Sequence, residues 1–192
     1  MTETPPKHLF WDSCVLIRYL TGIPAGDEGV LNALVDEAKA GKVKIWHSTL
    51  LYTEVRPSQL AAAGYDQMQD LVDDLAGAMF PIGPTPSILM RAGRIRDYAY
   101  LHHSPQKDEK TRVLTVPDSV HLCTCLHVLE DRGVSDIVFC TYDDGKGRNY
   151  EEKAVSLLRF EEYAQQHIGD LDVLAVCELT RQKPWHPQPS FV

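Results

Sequence analysis

The chain reads as an α/β protein built on a central, mostly parallel sheet of four to five strands. Two observations predict this. Strand-like runs alternate with helical ones along most of the length, the pattern of a parallel sheet rather than of a bundle or a sandwich. In addition, Asp12, Glu54, Asp118 and Asp143 each stand where an apolar segment ends or a helix begins. In an α/β fold such positions gather at one edge of the sheet, where ligands bind.

The elements follow in order. Lys7–Trp11 reads as a first strand and Ser13–Leu20 as a short helix, stopped by Gly22 and Pro24. From Glu28 to Ala40, Val30, Leu31, Leu34, Val35 and Ala38 recur at helical spacing, and Gly41 terminates the run. Val43–His47 is a second strand. Thr49–Val55 predicts a helix broken by Arg56-Pro57, and Ser58–Leu75 another, carrying Leu60, Met68, Leu71, Val72 and Leu75 on its apolar face. Ala78–Ile82 is a third short strand and Ser87–Leu101 a helix. The polar stretch His102–Thr115 reads as an exposed loop. Asp118–Leu129 is a helix with Asp118 as its N-cap, and Asp136–Thr141 a fourth strand. A fifth is expected near Ala154–Leu158, a short helix over Phe160–Gln166, and an amphipathic run over Leu171–Thr180. We place the principal domain at 1–166 and a C-terminal extension at 167–192.

At 192 residues, 44% hydrophobic and 24% charged, the chain has the composition of a globular protein with a sizeable core. No apolar run approaches the roughly 18 residues of a membrane span. Met1–Lys7 is polar and no secretory signal, so no membrane partner and a cytoplasmic location are expected. Five cysteines, an odd number lying in apolar segments without a CxxC pair, read as reduced thiols. His121 and Cys125 lie four apart on one helical face, but two ligands make no zinc site, and the pair reads as buried polar structure. The net charge of −8 argues against a broad nucleic-acid surface. The local basic groups, Arg91/Arg94/Arg96, Lys107/Lys110/Arg112 and Lys146/Arg148, read as solvated faces.

Each acid taken singly has a structural reading. Asp12 and Asp118 can cap helices, Asp143 sits in the turn sequence Tyr-Asp-Asp-Gly, and Glu54 can face solvent. Gathered together they cannot all stay ionised without counter-charge, which hard divalent cations supply. Phosphodiester hydrolysis needs an activated water and charge compensation at the departing oxygen. Two metal ions roughly 3.5–4 Å apart provide both.

The order and surroundings of these acids resemble those of the PIN-domain nucleases, among them the toxin-type ribonucleases. The matching residues are Asp12-Ser13-Cys14-Val15-Leu16, Ser48 to Glu54, Asp118-Ser119-Val120-His121-Leu122-Cys123-Thr124-Cys125 and Thr141-Tyr142-Asp143. They cover about Lys7 to Leu158. Cys14 departs from the Asn, Ser or Thr frequent in the family at that place.

The resemblance implies a three-layer α/β/α PIN-like fold and an endoribonuclease using Mg²⁺ or Mn²⁺ to cut single-stranded RNA by a metal-activated water. It assigns Asp12, Asp118 and Asp143 as metal ligands and Glu54 as a ligand or water-positioning group. Ser13 and Thr141 would orient the carboxylates, with Asp144 in reserve for Asp143. Arg56, Arg148 and Tyr150 are candidate RNA contacts. Candidate partners are RNA, an antitoxin protein and a second copy of the chain. The alternative is a PIN-like interaction module of RNA metabolism that has lost catalysis. A dehalogenase-type phosphatase is disfavoured because Cys14 stands where its second Asp belongs, and a phospho-receiver because only Thr141 fits.

Overall fold

The structure, a computed structural model, describes residues 8–22, 28–101, 112–145, 153–164 and 169–186. Seven strands are present among these residues: β1 (His8–Trp11), β2 (Lys44–Ser48), β3 (Met79–Ile82), β4 (Arg112–Val113), β5 (Ile137–Cys140), β6 (Lys153–Ala154) and β7 (Arg181–Gln182). The helices are α1 (Ser13–Thr21), α2 (Glu28–Lys39), α3 (Leu51–Glu54), α4 (Pro57–Ala62), α5 (Met68–Asp74), α6 (Pro86–Leu101), α7 (Val116–Asp131), α8 (Glu161–Ala164) and α9 (Leu171–Glu178).

Five strands form one parallel sheet in the order β3-β2-β1-β5-β7, and β4 pairs with β6 in a separate ladder. From β1 the chain winds outward to β2 and β3, then crosses to the other side for β5. The order therefore reverses between β1 and its two neighbours, where ligands bind beyond the C-terminal strand ends in open parallel sheets.

Alternation along β1 divides the core. Phe10 faces one side, stacked on Phe139 with ring centroids 5.5 Å apart. It packs there with Ile88, Ile95, Leu122, Leu126, Val173 and Val176, residues of α6, α7 and α9. Leu9 and Trp11 face the other side with Leu16, Leu34, Ile45, Leu71 and Val138, under α1, α2 and α5. Burial of each such large side chain contributes about 1.5–3 kcal/mol. Both faces of the sheet are thus covered by helices, which is why its central strands are apolar on both sides.

Several expectations are corrected. The single helix over Ser58–Leu75 is two, because Gly64 takes a left-handed φ of +84° that ends α4 before α5 begins. Asp118 is not the N-cap of α7: the cap is Thr115, whose Oγ1 accepts from the Asp118 N–H at 3.2 Å. Pro117 lies within the first turn, where a missing N–H costs nothing. Residues 102–111 of the expected loop lie outside the described residues, but Arg112–Val113 is a strand and Leu114 is fully buried. The fifth strand of the sheet is not near Ala154–Leu158, whose first residue belongs to β6; it is Arg181–Gln182, beside β5. The C-terminal residues from Leu171 to Gln182 therefore contribute α9 to the core and β7 to the sheet. Among the described residues no helix is long and apolar enough to cross a membrane.

Candidate functional site

Asp12 leaves β1 at its C-terminal end and caps α1 by accepting from the Ser13 N–H at 2.8 Å. It is almost fully buried. Its Oδ2 accepts from Thr141 Oγ1 at 2.8 Å and from Cys14 Sγ at 3.1 Å. Thr141 follows β5, the strand paired with β1, so two adjacent strand ends are laced together at the reversal of strand order. Ser13 Oγ lies at 3.5 Å from Asp12 Oδ1, a weaker contact than its backbone amide makes.

Two residues beyond Thr141, Asp143 turns back on itself. Its N–H donates to Thr141 Oγ1 at 3.0 Å, and its Oδ1 accepts from the Gly145 N–H at 2.7 Å. Gly145 is required there: its φ is +75°, and a Cβ would come within 3.1 Å of the Ser156 Cβ. Asp144 is partly exposed, and its carbonyl accepts from Arg159.

Asp118 stands in the first turn of α7, its Oδ2 accepting from Thr115 Oγ1 at 2.5 Å. Burial and the neighbouring Asp12 charge push its carboxyl up to about 7. Asp143 adds to that rise, while the Thr115 hydrogen bond and His121 oppose it. Asp143 is itself raised, by burial and then by Asp12 and Asp144, against the Gly145 hydrogen bond. The three aspartates thus sit within electrostatic reach of one another. The donors that satisfy them are neutral hydroxyls, amides and a thiol.

Glu54 arrives from the other side on α3. Its Oε2 lies 2.6 Å from Nε2 of His121, which is fully buried on α7 one turn after Asp118. Burial alone would lower the imidazole pKa. The Glu54 hydrogen bond and the Asp12, Glu54 and Asp118 charges outweigh burial and raise it. His121 Nδ1 is enclosed and has no partner among the described residues.

The structure therefore brings Asp12, Asp118 and Asp143 into one electrostatic group and ties Glu54 to His121. Among the described residues no three acidic, histidine or cysteine side chains converge closely enough to hold a metal ion as they stand. Arg56 is exposed at the start of α4. Arg148 and Tyr150 lie outside the described residues, as do Lys107, Lys110 and Lys146.

Three residues were missed by sequence reasoning. His121 was paired with Cys125 rather than with Glu54, although its position three after Asp118 puts both on one face of a helix. Thr115 forms a Thr-x-x-Asp pair with Asp118, a helix-start signal visible in the sequence. Cys14 is woven into the site, donating to Asp12 and accepting from the Tyr142 N–H at 3.2 Å. Burial and the adjacent Asp12 charge raise its pKa well above the ordinary thiol value, so it is a neutral donor. Comparison of the chain with protein-family models, with curated proteins and with solved structures finds no match to any of them.

Proposed function

We propose that the chain is a PIN-like endoribonuclease that uses Mg²⁺ or Mn²⁺ to hydrolyse phosphodiester bonds of single-stranded RNA. One observation carries the reading: Asp12, Asp118 and Asp143 lie within electrostatic reach of one another at the reversal point of a parallel sheet, where burial and then the Asp12 and Asp143 charges raise Asp118 to about 7. Clustered oxygen donors that repel one another are the donor set a hard divalent cation fits, since it favours the ionised form of each. Asp12, Asp118 and Asp143 would hold it. The bound cation would supply an activated water and compensate charge on the departing oxygen.

The chain's own groups supply the rest. Thr141, Cys14 and the Ser13 amide fix both oxygens of Asp12. Thr115 fixes one oxygen of Asp118. Glu54, held through Oε2 by His121, would position the water. Low-dielectric surroundings strengthen each of these contacts.

A second reading is favoured by a separate observation. Because no three ligating side chains converge among the described residues and Glu54 is engaged by His121, the site also suits a PIN-like interaction module without catalysis. An antitoxin protein or a second copy of the chain belongs with either reading. Among the described residues of the C-terminal segment, Leu171 and Trp185 are exposed large apolar groups that such a partner would cover.

Cleavage of single-stranded RNA with Mn²⁺ decides between the two readings. The nuclease reading requires cleavage that EDTA stops and that Asp12→Asn abolishes. A folded protein that leaves RNA intact at millimolar Mn²⁺ assigns the module.

A further inference from the structure

A cavity of about 270 Å³ lies beside the acidic edge, under the sheet face covered by α1 and α5. Its floor is Leu16, His47 and Leu71, all buried. Tyr52 and Met79 wall it, and it opens past the exposed Ala76. Among the described residues no lysine, arginine, aspartate or glutamate lines it, so a charged ligand would enter without a counter-charge from them.

His47 gives this apolar space its chemical direction. Its Nδ1 lies 3.2 Å from the Ser48 carbonyl oxygen, which can only accept, so Nδ1 carries the hydrogen. In the neutral ring Nε2 is then the acceptor nitrogen of a side chain that lines the cavity. Burial pushes the imidazole down to about 4, which keeps it neutral at physiological pH. The Tyr52 ring stands against His47 with centroids 5.3 Å apart and planes tilted by 60°.

We propose that this cavity binds a flat, uncharged heteroaromatic ring whose N–H donates to Nε2 of His47. The size agrees: an apolar cavity of about 150 Å³ admits benzene, and pockets for drug-sized ligands start near 300 Å³. One fused bicyclic ring fits between those limits. Two sources present this chemistry. One is a base of an RNA strand lying along the acidic edge, since Leu16 is one turn beyond Asp12 and Ser13 on α1 and Tyr52 is two residues before Glu54 on α3. That source rests on the nuclease reading. The other is a free small molecule, which does not.

The test is calorimetric titration of the full chain without metal, so a failure here leaves RNA cleavage untouched. Indole, benzofuran (the same shape without the N–H) and the four neutral ribonucleosides are the probes. Indole is expected to bind saturably and about 2- to 10-fold more tightly than benzofuran, the worth of one neutral hydrogen bond. Ala76→Trp, a change at the exposed rim, should weaken every bound probe at least tenfold. His47→Phe should bring indole down to benzofuran and leave benzofuran unchanged. A ribonucleoside that binds and is lost in Ala76→Trp assigns the strand base, whereas binding of indole alone assigns the free ligand. Absence of saturable binding by all probes overturns the proposal, as does binding that Ala76→Trp leaves intact. Equal loss of indole and benzofuran in a folded His47→Phe protein overturns the assigned hydrogen bond. If that variant does not fold, Ala76→Trp and the indole-to-benzofuran ratio still decide.

Discussion

Two acidic regions of this molecule carry their charge in opposite ways. On the outer surface of α6, α7 and α9, Glu130 and Asp172 share arginines. Arg91 grips Glu130 with both terminal nitrogens at 2.6 and 3.0 Å and reaches Asp172 through Nε at 2.8 Å, while Arg94 also pairs with Asp172. At the ends of β1 and β5, Asp12, Asp118 and Asp143 are met by Thr141, Cys14, Thr115 and backbone amides, which lend hydrogen bonds but no charge. A carboxylate that serves the fold brings its own counter-ion. In the inner cluster the hydrogen bonds come from neutral groups, and the His121 imidazole opposes the rise of Asp118 without cancelling it, so any further counter-charge there belongs to the proposed cation.

The sharpest way to break the contrast is to remove one inner charge. Asp12→Asn keeps the shape but takes away the charge of a proposed ligand and one of its two acceptor oxygens. If the cluster is catalytic, Mn²⁺-dependent cleavage of single-stranded RNA should fall by roughly 10⁴-fold or more, the scale of losing one member of a cooperating set. A loss below tenfold would place the chemistry elsewhere.

The next effect is thermodynamic. A cation that binds the folded state at ten times its dissociation constant adds about 1.4 kcal/mol, worth about 3–6 °C in Tm for a chain of this size. Scanning fluorimetry with millimolar Mn²⁺ should show that rise in the wild type. Asp118→Asn, which removes both a ligand and its repulsion, should halve it or more. A flat response in the wild type would sink the metal site.

The pH dependence has a definite sign. Asp118 is raised to about 7, so the folded protein holds a proton that the unfolded chain gives up near 4. Through that window stability falls as pH rises. Asp143 is raised in the same direction. His121, also raised, adds stability that is lost on passing its folded pKa upward. The metal-free protein should therefore melt lower at pH 8 than at pH 5, by an amount on the order of 1 kcal/mol after screening of the partly exposed groups. Mn²⁺ should recover most of the difference at pH 8 and little at pH 5. An unchanged Tm across this range in EDTA would show that the inner carboxylates do not repel one another.

How much of this could be read from residue order follows from the range of the interactions. Asp12 was legible because everything that places it is local: an apolar strand before it, a helix to cap after it. Thr141 and Asp143 were legible for the same reason at β5. Asp118 was found, but its role as cap was misjudged, since Thr115 competes for the same turn three residues earlier. The break at Gly64 was hidden by apolar spacing that carries on as though the helix were continuous. β7 has only two residues and exists through its pairing with Phe139 and Cys140, so no local pattern announces it. The Glu54–His121 pair joins residues 67 apart, and the cavity behind His47 is lined from five separate elements, α1, β2, α3, α5 and β3. Such features are consequences of assembly, and a period or a cap cannot carry them.

The outer network supplies the converse test and the smallest effect. Arg91→Ala leaves Glu130 without its guanidinium and Asp172 with Arg94 alone. Glu130 is largely exposed, so water replaces most of what is lost there. Asp172 and Arg91 are more enclosed, so less of that pairing is replaced by water. A cost of about 1 kcal/mol, the upper end for surface pairs, is expected from chemical denaturation. The Mn²⁺-induced rise in Tm should remain that of the wild type, because this pairing is complete within the fold. If instead Arg91→Ala alters the metal response, the two acidic regions are coupled through α7, the helix that bears both Asp118 and Glu130.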